Sequence, residues 1–162
     1  MFTILYMLLA PGLLGADWPQ LRGPNGSGLC PLCGTLPTEF GPQKNVLWKT
    51  ELAPGKSSPV LVGDRIFLTA SEGDDLITIC LSRITGKVQW QRSVRAAKRE
   101  YQHKLNHRAA PTPVTDGKSV FVFFADFGLV AYDFEGKQRW QLPLGPFNSQ
   151  HGVVASPVYA DG

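Results

Sequence analysis

Charged residues are scarce in this chain of 162 residues, because Asp, Glu, Lys and Arg together make up only 18% of it. Globular domains usually contain about a quarter, and coiled coils, helical bundles and disordered segments need more charge or an excess of helix-forming residues. Glycine and proline are abundant instead, with 17 and 13 residues. This composition predicts an all-β protein in which many short strands are joined by tight turns.

The chain also lacks a strong net charge and an apolar run long enough to cross a bilayer. The net charge of +3 is too small to indicate nucleic acid by itself, and no motif of the common nucleic-acid-binding modules occurs. The N-terminal apolar stretch, residues 1–16, has no charge but is too short for a membrane helix. We therefore expect neither a nucleic-acid partner nor a membrane span.

Residues 1–16 instead have the length and the small-residue ending, Gly15-Ala16, that are typical of a secretory signal peptide. The stretch departs from the usual pattern in having no Lys or Arg before the apolar run and Leu14 where a small residue is preferred. We predict cleavage before Asp17 and export to the periplasm or the extracellular space. A buried N-terminal segment is the alternative.

Only three cysteines are present, and three cannot all pair within one chain. Cys30 and Cys33 form a C-x-x-C motif, and Cys80 lies in an apolar run. Haem attachment needs a His where Gly34 stands, a structural zinc site needs a second cysteine pair, and a thioredoxin motif needs a helix where residues 35–37 disfavour one. We predict a local Cys30–Cys33 disulfide in an exported loop, with redox chemistry as the alternative, and Cys80 as a small buried residue.

A repeat of about 40 to 50 residues, which is the range of propeller blades, organises the chain. A Ser/Thr-Pro-Val motif followed by a Gly/Asp turn begins at residues 58, 112 and 156, and a Gly-Lys turn followed by Trp ends two of the units. We expect the repeat to be carried by these residues: Trp48, Trp90, Trp140, Gly86, Gly136 and Asp133.

Each unit contains the signals of four antiparallel strands, which is typical of a β-propeller blade. The second strands are predicted at 65–70 and 119–124, the third at 76–81 and 129–134, and each fourth strand ends at Trp. We expect an extended N-terminal segment at 17–44 and a partial propeller at 45–162, with blades at about 57–92 and 111–141 and a third beginning at 156. Two whole units cannot close a ring, so we expect the chain to be part of a larger propeller, whose last blade the strand 45–51 would complete.

These motifs resemble the exported pyrroloquinoline-quinone-like (PQQ-like) repeat propellers. The resemblance rests on Ala131-Tyr132-Asp133-Phe134-Glu135-Gly136-Lys137-Gln138-Arg139-Trp140, on its first copy at 80–90, where Ser82 replaces the usual Asp, and on the N-terminal segment Asp17-Trp18-Pro19-Gln20-Leu21-Arg22-Gly23-Pro24. It implies a propeller fold and one of two functions. Some members are dehydrogenases that hold PQQ and Ca²⁺ on the propeller axis, and others are binding scaffolds without a cofactor.

The resemblance further implies that the dehydrogenases hold the quinone between a Trp and a disulfide of adjacent cysteines, with carboxylate and amide ligands to calcium. Cys30 and Cys33 are not adjacent, and Asp74 and Asp75 lie in a hairpin that is typical of a solvated turn. No cofactor is evident, so we predict a binding or scaffold module rather than an enzyme, whose partner is an unidentified protein or small molecule. The alternative is a fragment of a PQQ-dependent alcohol or sugar dehydrogenase.

Two histidines hold the same place in successive units, each five residues before a Ser/Thr-Pro pair. They are His107 and His151, and they have Asn106 and Gln150 beside them. Loops at this place in a propeller converge at the mouth of the central channel, so we predict that these four residues bind a ligand there. A histidine that caps a turn through a hydrogen bond is the alternative.

The same region holds most of the positive charge, with six Lys and Arg and one Glu between residues 92 and 108. We interpret it as a solvated connection between blades, and attraction of an anionic polymer or of membrane headgroups is the alternative. His103 and His107 have the spacing of a metal pair on a helix. No H-E-x-x-H glutamate accompanies them and their neighbours are cationic, so we predict no metal site.

Overall fold

The computed structural model describes residues 16–30, 37–147 and 149–160. These residues form two four-stranded antiparallel sheets and a short 3₁₀ turn at Pro24–Gly26. The first sheet has the order β1-β2-β3-β4 and the second β5-β6-β7-β8. Their strands are β1 Val60–Val62, β2 Arg65–Glu72, β3 Asp75–Ser82, β4 Val88–Arg95, β5 Val114–Thr115, β6 Ser119–Phe124, β7 Gly128–Asp133 and β8 Gln138–Pro143. The all-β prediction is confirmed.

Residues 1–15 and Cys33 lie outside the described residues, so the predicted signal peptide and the Cys30–Cys33 disulfide stay predictions. None of the described residues belongs to a helix that is long and apolar enough to cross a membrane.

Two predicted strand boundaries are wrong in an instructive way. The fourth strands do not end at Trp90 and Trp140 but continue to Arg95 and Pro143, because their backbones go on pairing with the third strands. Each fourth strand also contains a β-bulge just before its tryptophan, where Gln89 or Arg139 has no partner in the register. A bulge increases the local twist of a strand, and its recurrence at one place shows that both units are built alike.

Two segments that were predicted to be strands have no sheet pairing within the described part of the chain. Residues 45–51 and 156–160 are not hydrogen-bonded into either sheet, and Asn45 has a positive φ of 58°. The first of them packs instead, through Trp48, on one face of the first sheet. An extended chain becomes a strand only when a neighbouring edge supplies hydrogen bonds, and the two described sheets supply none to these segments.

The turn between the third and fourth strands explains the most constant part of the repeat. In the second unit the Asp133 carboxylate accepts the backbone N–H groups of Glu135 at 3.1 Å and Lys137 at 2.8 Å. In the first unit the Ser82 hydroxyl accepts the N–H of Thr85 at 3.2 Å. Ser82, at the position that Asp133 holds in the second unit, therefore accepts one of the two backbone hydrogen bonds that close this turn.

The hydrophobic core lies between the two sheets and on the other face of the first one. Between the sheets, Phe67 packs against Trp90 and Phe134, with ring centroids 6.0 Å and 5.2 Å away. On the far face, a cluster of Ile66, Ala70, Ile77, Ile79 and Leu81 is covered by the segment that contains Trp48. The first sheet is thus buried on both faces, as a propeller blade must be.

The tryptophans join neighbouring units in a regular way. The Trp48 ring lies against Gly86 and its indole N–H donates to the Arg83 carbonyl at 2.9 Å. The Trp90 ring lies against Gly136 and donates to the Phe134 carbonyl at 2.8 Å. Both glycines have positive φ, 70° and 81°, and an added Cβ would collide with the indole. Glycine is therefore required here for the backbone conformation and for the close approach of the ring.

The Ser/Thr-Pro pairs carry a second link between units. The Thr112 hydroxyl accepts the backbone N–H of Ser58 at 3.0 Å, and the Ser156 hydroxyl accepts the N–H of Thr112 at 2.9 Å. Each unit thus supplies the hydroxyl that satisfies a backbone donor of the unit before it. Because Thr112 is 2% exposed, water cannot easily replace this acceptor.

We expect Thr112→Val, which removes the hydroxyl at nearly constant shape, to lower the free energy of unfolding by about 1–3 kcal/mol, the cost of an unsatisfied buried donor. Urea denaturation should show the loss as a lower midpoint at an unchanged m-value. Thr38→Val, at an exposed position, should leave the midpoint unchanged. Equal midpoints for wild type and Thr112→Val would contradict this role of the hydroxyl.

The N-terminal segment crosses the free edges of β1 and β5. Trp18 and Leu61 exchange two backbone hydrogen bonds, of 2.7 Å and 3.0 Å, and the Thr115 N–H donates to the Pro19 carbonyl at 3.0 Å. The Asp17 carboxylate accepts the Gly63 N–H at 2.9 Å. Residues 17–19, which we call the edge segment, therefore bridge the first strands of both sheets.

Candidate functional site

One end of the two sheets gathers the longest connection and two hairpins. Strand direction alternates in an antiparallel sheet, so the β2–β3 hairpin, the β6–β7 hairpin and the connection from β4 to β5 all lie at the same end. We call this end the connection face, and it comprises residues 73–74, 96–113 and 125–127. The β1–β2 and β3–β4 turns lie at the opposite end.

Arg108 is the centre of the connection face. Its Nη1 donates to the Gly73 carbonyl at 2.7 Å, and its Nε donates to the Asp126 carboxylate. The two side chains are only 14% and 5% exposed, and the other oxygen of Asp126 accepts the Glu100 N–H at 2.8 Å. Arg108 therefore ties the connection to the hairpins of both sheets through charge-assisted hydrogen bonds.

The basic stretch is partly neutralised by acidic side chains of the hairpins and the connection. Arg95 and Arg99 pair with Asp74, and Lys98 lies 3.5 Å from the Glu100 carboxylate. Arg95 and Arg99 are largely exposed, so their pairs stabilise little, whereas Lys98 and Glu100 are mostly buried. The solvated connection that we predicted is thus, in part, a packed and ion-paired one.

His107 caps a turn and also contacts a pocket of the connection face. Its Nδ1 accepts the Ala109 N–H at 3.2 Å, which is the turn-capping role. Burial, with smaller contributions from Lys56 and Arg108, lowers the pKa of His107. The ring is therefore neutral at pH 7, and because Nδ1 accepts a hydrogen bond, the proton is assigned to Nε2. His107 also lines a pocket of the connection face, together with Asn106.

His151 and Gln150 are placed differently. The His151 ring lies edge-on to His103, with centroids 6.2 Å apart, and its carbonyl accepts the Asn106 side-chain amide at 2.5 Å. Gln150 is exposed. His107 and Asn106 thus share one pocket, whereas His151 approaches it only through its backbone and the neighbouring Gly152. Ligand binding by these four residues stays a prediction.

The pocket is small, with a volume of about 20 Å³, and lies between the connections of successive units. One wall is formed by Asn106, His107 and Arg108, and another by Asp126 and Gly152. The Arg108 Nη2 is buried and has no hydrogen-bond partner among the described residues. Arg108 and His107 both line this pocket, and their side chains carry N–H groups of the kind that bind an acceptor group of a ligand.

Sequence reasoning missed Arg108, Glu100 and Asp126. A signal for Asp126 was present, because it is the single charge in the otherwise apolar run 119–132. A charged residue that is buried by such a run needs a partner, so a lone Asp there indicates an ion pair if the run is in the core. No comparable signal marked Arg108, which stands among several similar basic residues.

The described residues do not fit PQQ with Ca²⁺. Cys80 lies in the core, its Sγ is 3.5 Å from the Gln89 side-chain oxygen, and burial raises its pKa to about 12. It has no adjacent cysteine in the sequence. Within 16–30, 37–147 and 149–160, no three His, Cys, Asp or Glu side chains are placed to hold a metal ion together.

Comparison with known proteins agrees with this architecture. A family model described as outer membrane protein assembly factor BamB matches residues 41–162. The crystal structure of BamB from Moraxella catarrhalis is similar with a TM-score of 0.55 and 19% identity, over 73% of this chain and 36% of that one. At this identity the likeness shows the fold, and this chain spans about a third of the length of that protein. A search of curated proteins finds no match.

Proposed function

The chain belongs to the BamB-like family of PQQ-like repeat propellers, and from this premise we propose that it acts as a binding scaffold for a protein partner through its connection face. The family description, outer membrane protein assembly factor, supports a protein partner at the cell envelope. The apolar stretch at residues 1–16 supports export to that compartment.

The observation that carries the proposal is the form of the connection face. Arg108 and Asp126 fix its backbone from beneath, while Tyr101 and Leu105 are 61% and 70% exposed above it. A rigid base with exposed apolar side chains and a pocket of hydrogen-bond donors is what a protein partner needs for a stable interface.

A photo-crosslinking amino acid at Leu105 tests the proposal, with Ile84 as the matched control. Both are exposed aliphatic residues, but Ile84 lies in the β3–β4 turn at the opposite end of the sheets. In the native cell we expect Leu105→benzoylphenylalanine to give one discrete crosslinked protein and the Ile84 variant to give none. Equal crosslinking at both positions, or none at Leu105, would count against the connection face.

An assay for quinone chemistry tests the alternative to the scaffold role, which is PQQ-dependent dehydrogenase activity. The purified chain is incubated with PQQ and Ca²⁺, and dye reduction is followed with alcohols and sugars as substrates. We expect no turnover above the cofactor alone. Saturable, substrate-dependent dye reduction would overturn the scaffold function in favour of a dehydrogenase.

A further inference from the structure

The edge segment pairs with the first sheet through one antiparallel β-bridge between Trp18 and Leu61. Trp18 N–H donates to the Leu61 carbonyl at 2.7 Å, and Leu61 N–H donates to the Trp18 carbonyl at 3.0 Å. Leu61 stands opposite Ile66 of β2, but its N–H and its carbonyl both pair with Trp18. These two groups therefore lie on the edge of β1 that faces away from β2. The Asp17 carboxylate extends the pairing by accepting the Gly63 N–H, two residues further along that edge.

The second sheet offers the same edge at the equivalent residue. Thr115 stands three residues after Thr112, as Leu61 stands three residues after Ser58, and its N–H donates to the Pro19 carbonyl at 3.0 Å. Pro59 and Pro113, two residues earlier, have no N–H to leave unpaired on this edge. Each unit therefore presents one outward backbone donor at the same register, and the edge segment takes both.

The contacts of the edge segment are those of a peptide ligand. They use its main chain and one carboxylate, so they demand an N–H at the position of Trp18 but none at Pro19. The residues just after it fold on themselves, with the Trp18 ring against Gly23 and Gly28 N–H donating to the Arg22 carbonyl at 2.7 Å. The chain that leads from there to β1 is mostly exposed between residues 37 and 56.

From this geometry we propose that the free edges of β1 and β5 form a strand-acceptor site for an extended peptide of the pattern Asp-x-Pro, where x is any residue with a backbone N–H. The edge segment occupies this site in cis. A partner peptide binds by adding a strand, with its acidic side chain on the Gly63 N–H and the carbonyl of its proline on the Thr115 N–H. This site is separate from the connection face and does not depend on binding there.

Cleaving the chain between the edge segment and β1 tests the proposal. A protease recognition sequence is inserted between Pro42 and Gln43, two exposed residues, and the folded full chain is then cleaved. A fluorescent synthetic peptide of residues 16–30 with Cys30→Ser is titrated into the cleaved chain and followed by anisotropy. We expect saturable binding, competition by the same peptide without the dye, and at least about tenfold weaker binding to the uncleaved chain, where the site is filled in cis.

Two matched peptides separate strand addition from unspecific adhesion. N-methylation of Trp18 keeps the indole but removes the N–H that pairs with Leu61, and Asp17→Ala removes the carboxylate. We expect each to weaken binding by about tenfold, the effect of one backbone or charge-assisted hydrogen bond. Equal affinity of all three peptides would overturn the proposal. The proposal would also be overturned if the cleaved segment neither dissociated from the sheets nor exchanged with the synthetic peptide. The segment would then be a permanent structural connection between the two sheets. Crosslinking at Leu105 does not depend on either outcome.

Discussion

Replacing Trp90 by Ala is expected to lower the free energy of unfolding of the 162-residue chain by about 3–5 kcal/mol, the range for truncating a buried aromatic residue. Trp90 is 8% exposed, its ring packs between the two sheets and its N–H is satisfied by the Phe134 carbonyl. The truncation therefore removes a large buried surface and leaves a cavity at the contact between the units.

Trp140→Ala is the matched control for this experiment. Trp140 holds the same register on β8 that Trp90 holds on β4, but it is 44% exposed in this chain. We expect it to cost about 1 kcal/mol, because less surface is lost and no closed cavity forms. Urea denaturation followed by far-ultraviolet circular dichroism measures both variants without relying on tryptophan emission. Equal losses would mean that Trp90 does not join the units.

Gly136→Ala is the second change with a large expected effect. Gly136 has a φ of 81°, and an added Cβ would lie 2.7 Å from the nearest atom of the Trp90 ring. The methyl group must displace the indole, at about 1–3 kcal/mol for overpacking, in addition to about 1–2 kcal/mol for a left-handed residue. We expect the sum of the two costs as a loss of stability, together with a shift of the Trp90 indole N–H resonance.

Gly117→Ala measures the backbone part of that effect, so the difference between the two variants gives the steric part. Gly117 has a φ of 85°, nearly that of Gly136, but nothing lies within 4 Å of its missing Cβ. We expect the backbone cost alone, about 1–2 kcal/mol, and an unchanged Trp90 resonance. If both glycine variants lost the same stability, the tryptophan would not be pressed against the Gly136 backbone.

The strands could be predicted closely because their signals are local. The second strand of the second unit, 119–124, was predicted with the bounds that β6 has, and β3 extends the prediction of 76–81 by one residue at each end. Short apolar runs between Gly/Asp turns indicate such bounds without help from the rest of the chain. The continuation of β4 beyond Trp90 was missed because it depends on a partner strand, which has to be in place before the pairing exists.

The candidate site could be predicted only in part. The equal spacing of His107 and His151 indicated that both belong to connections at the same end of the sheets, since local order along the chain fixes where a connection begins. It could not indicate that His151 packs on His103 rather than beside His107. That arrangement depends on how the longer connection folds back, and its folding is set by Arg108, Asp74 and Asp126, which are distant in sequence.

The hydrogen bonds from Ser58 to Thr112 and from Thr112 to Ser156 bear on how such a protein can grow. The Ser/Thr hydroxyl of one unit accepts a hydrogen bond from the preceding unit, and the backbone N–H of the same residue donates one to the following unit, as Thr112 does. Duplicating or deleting a whole unit in the gene would leave that sequence of donors and acceptors unbroken, whereas a breakpoint inside a unit would orphan one of them. Rings of different size can therefore arise from one unit without new polar interactions having to evolve at each junction.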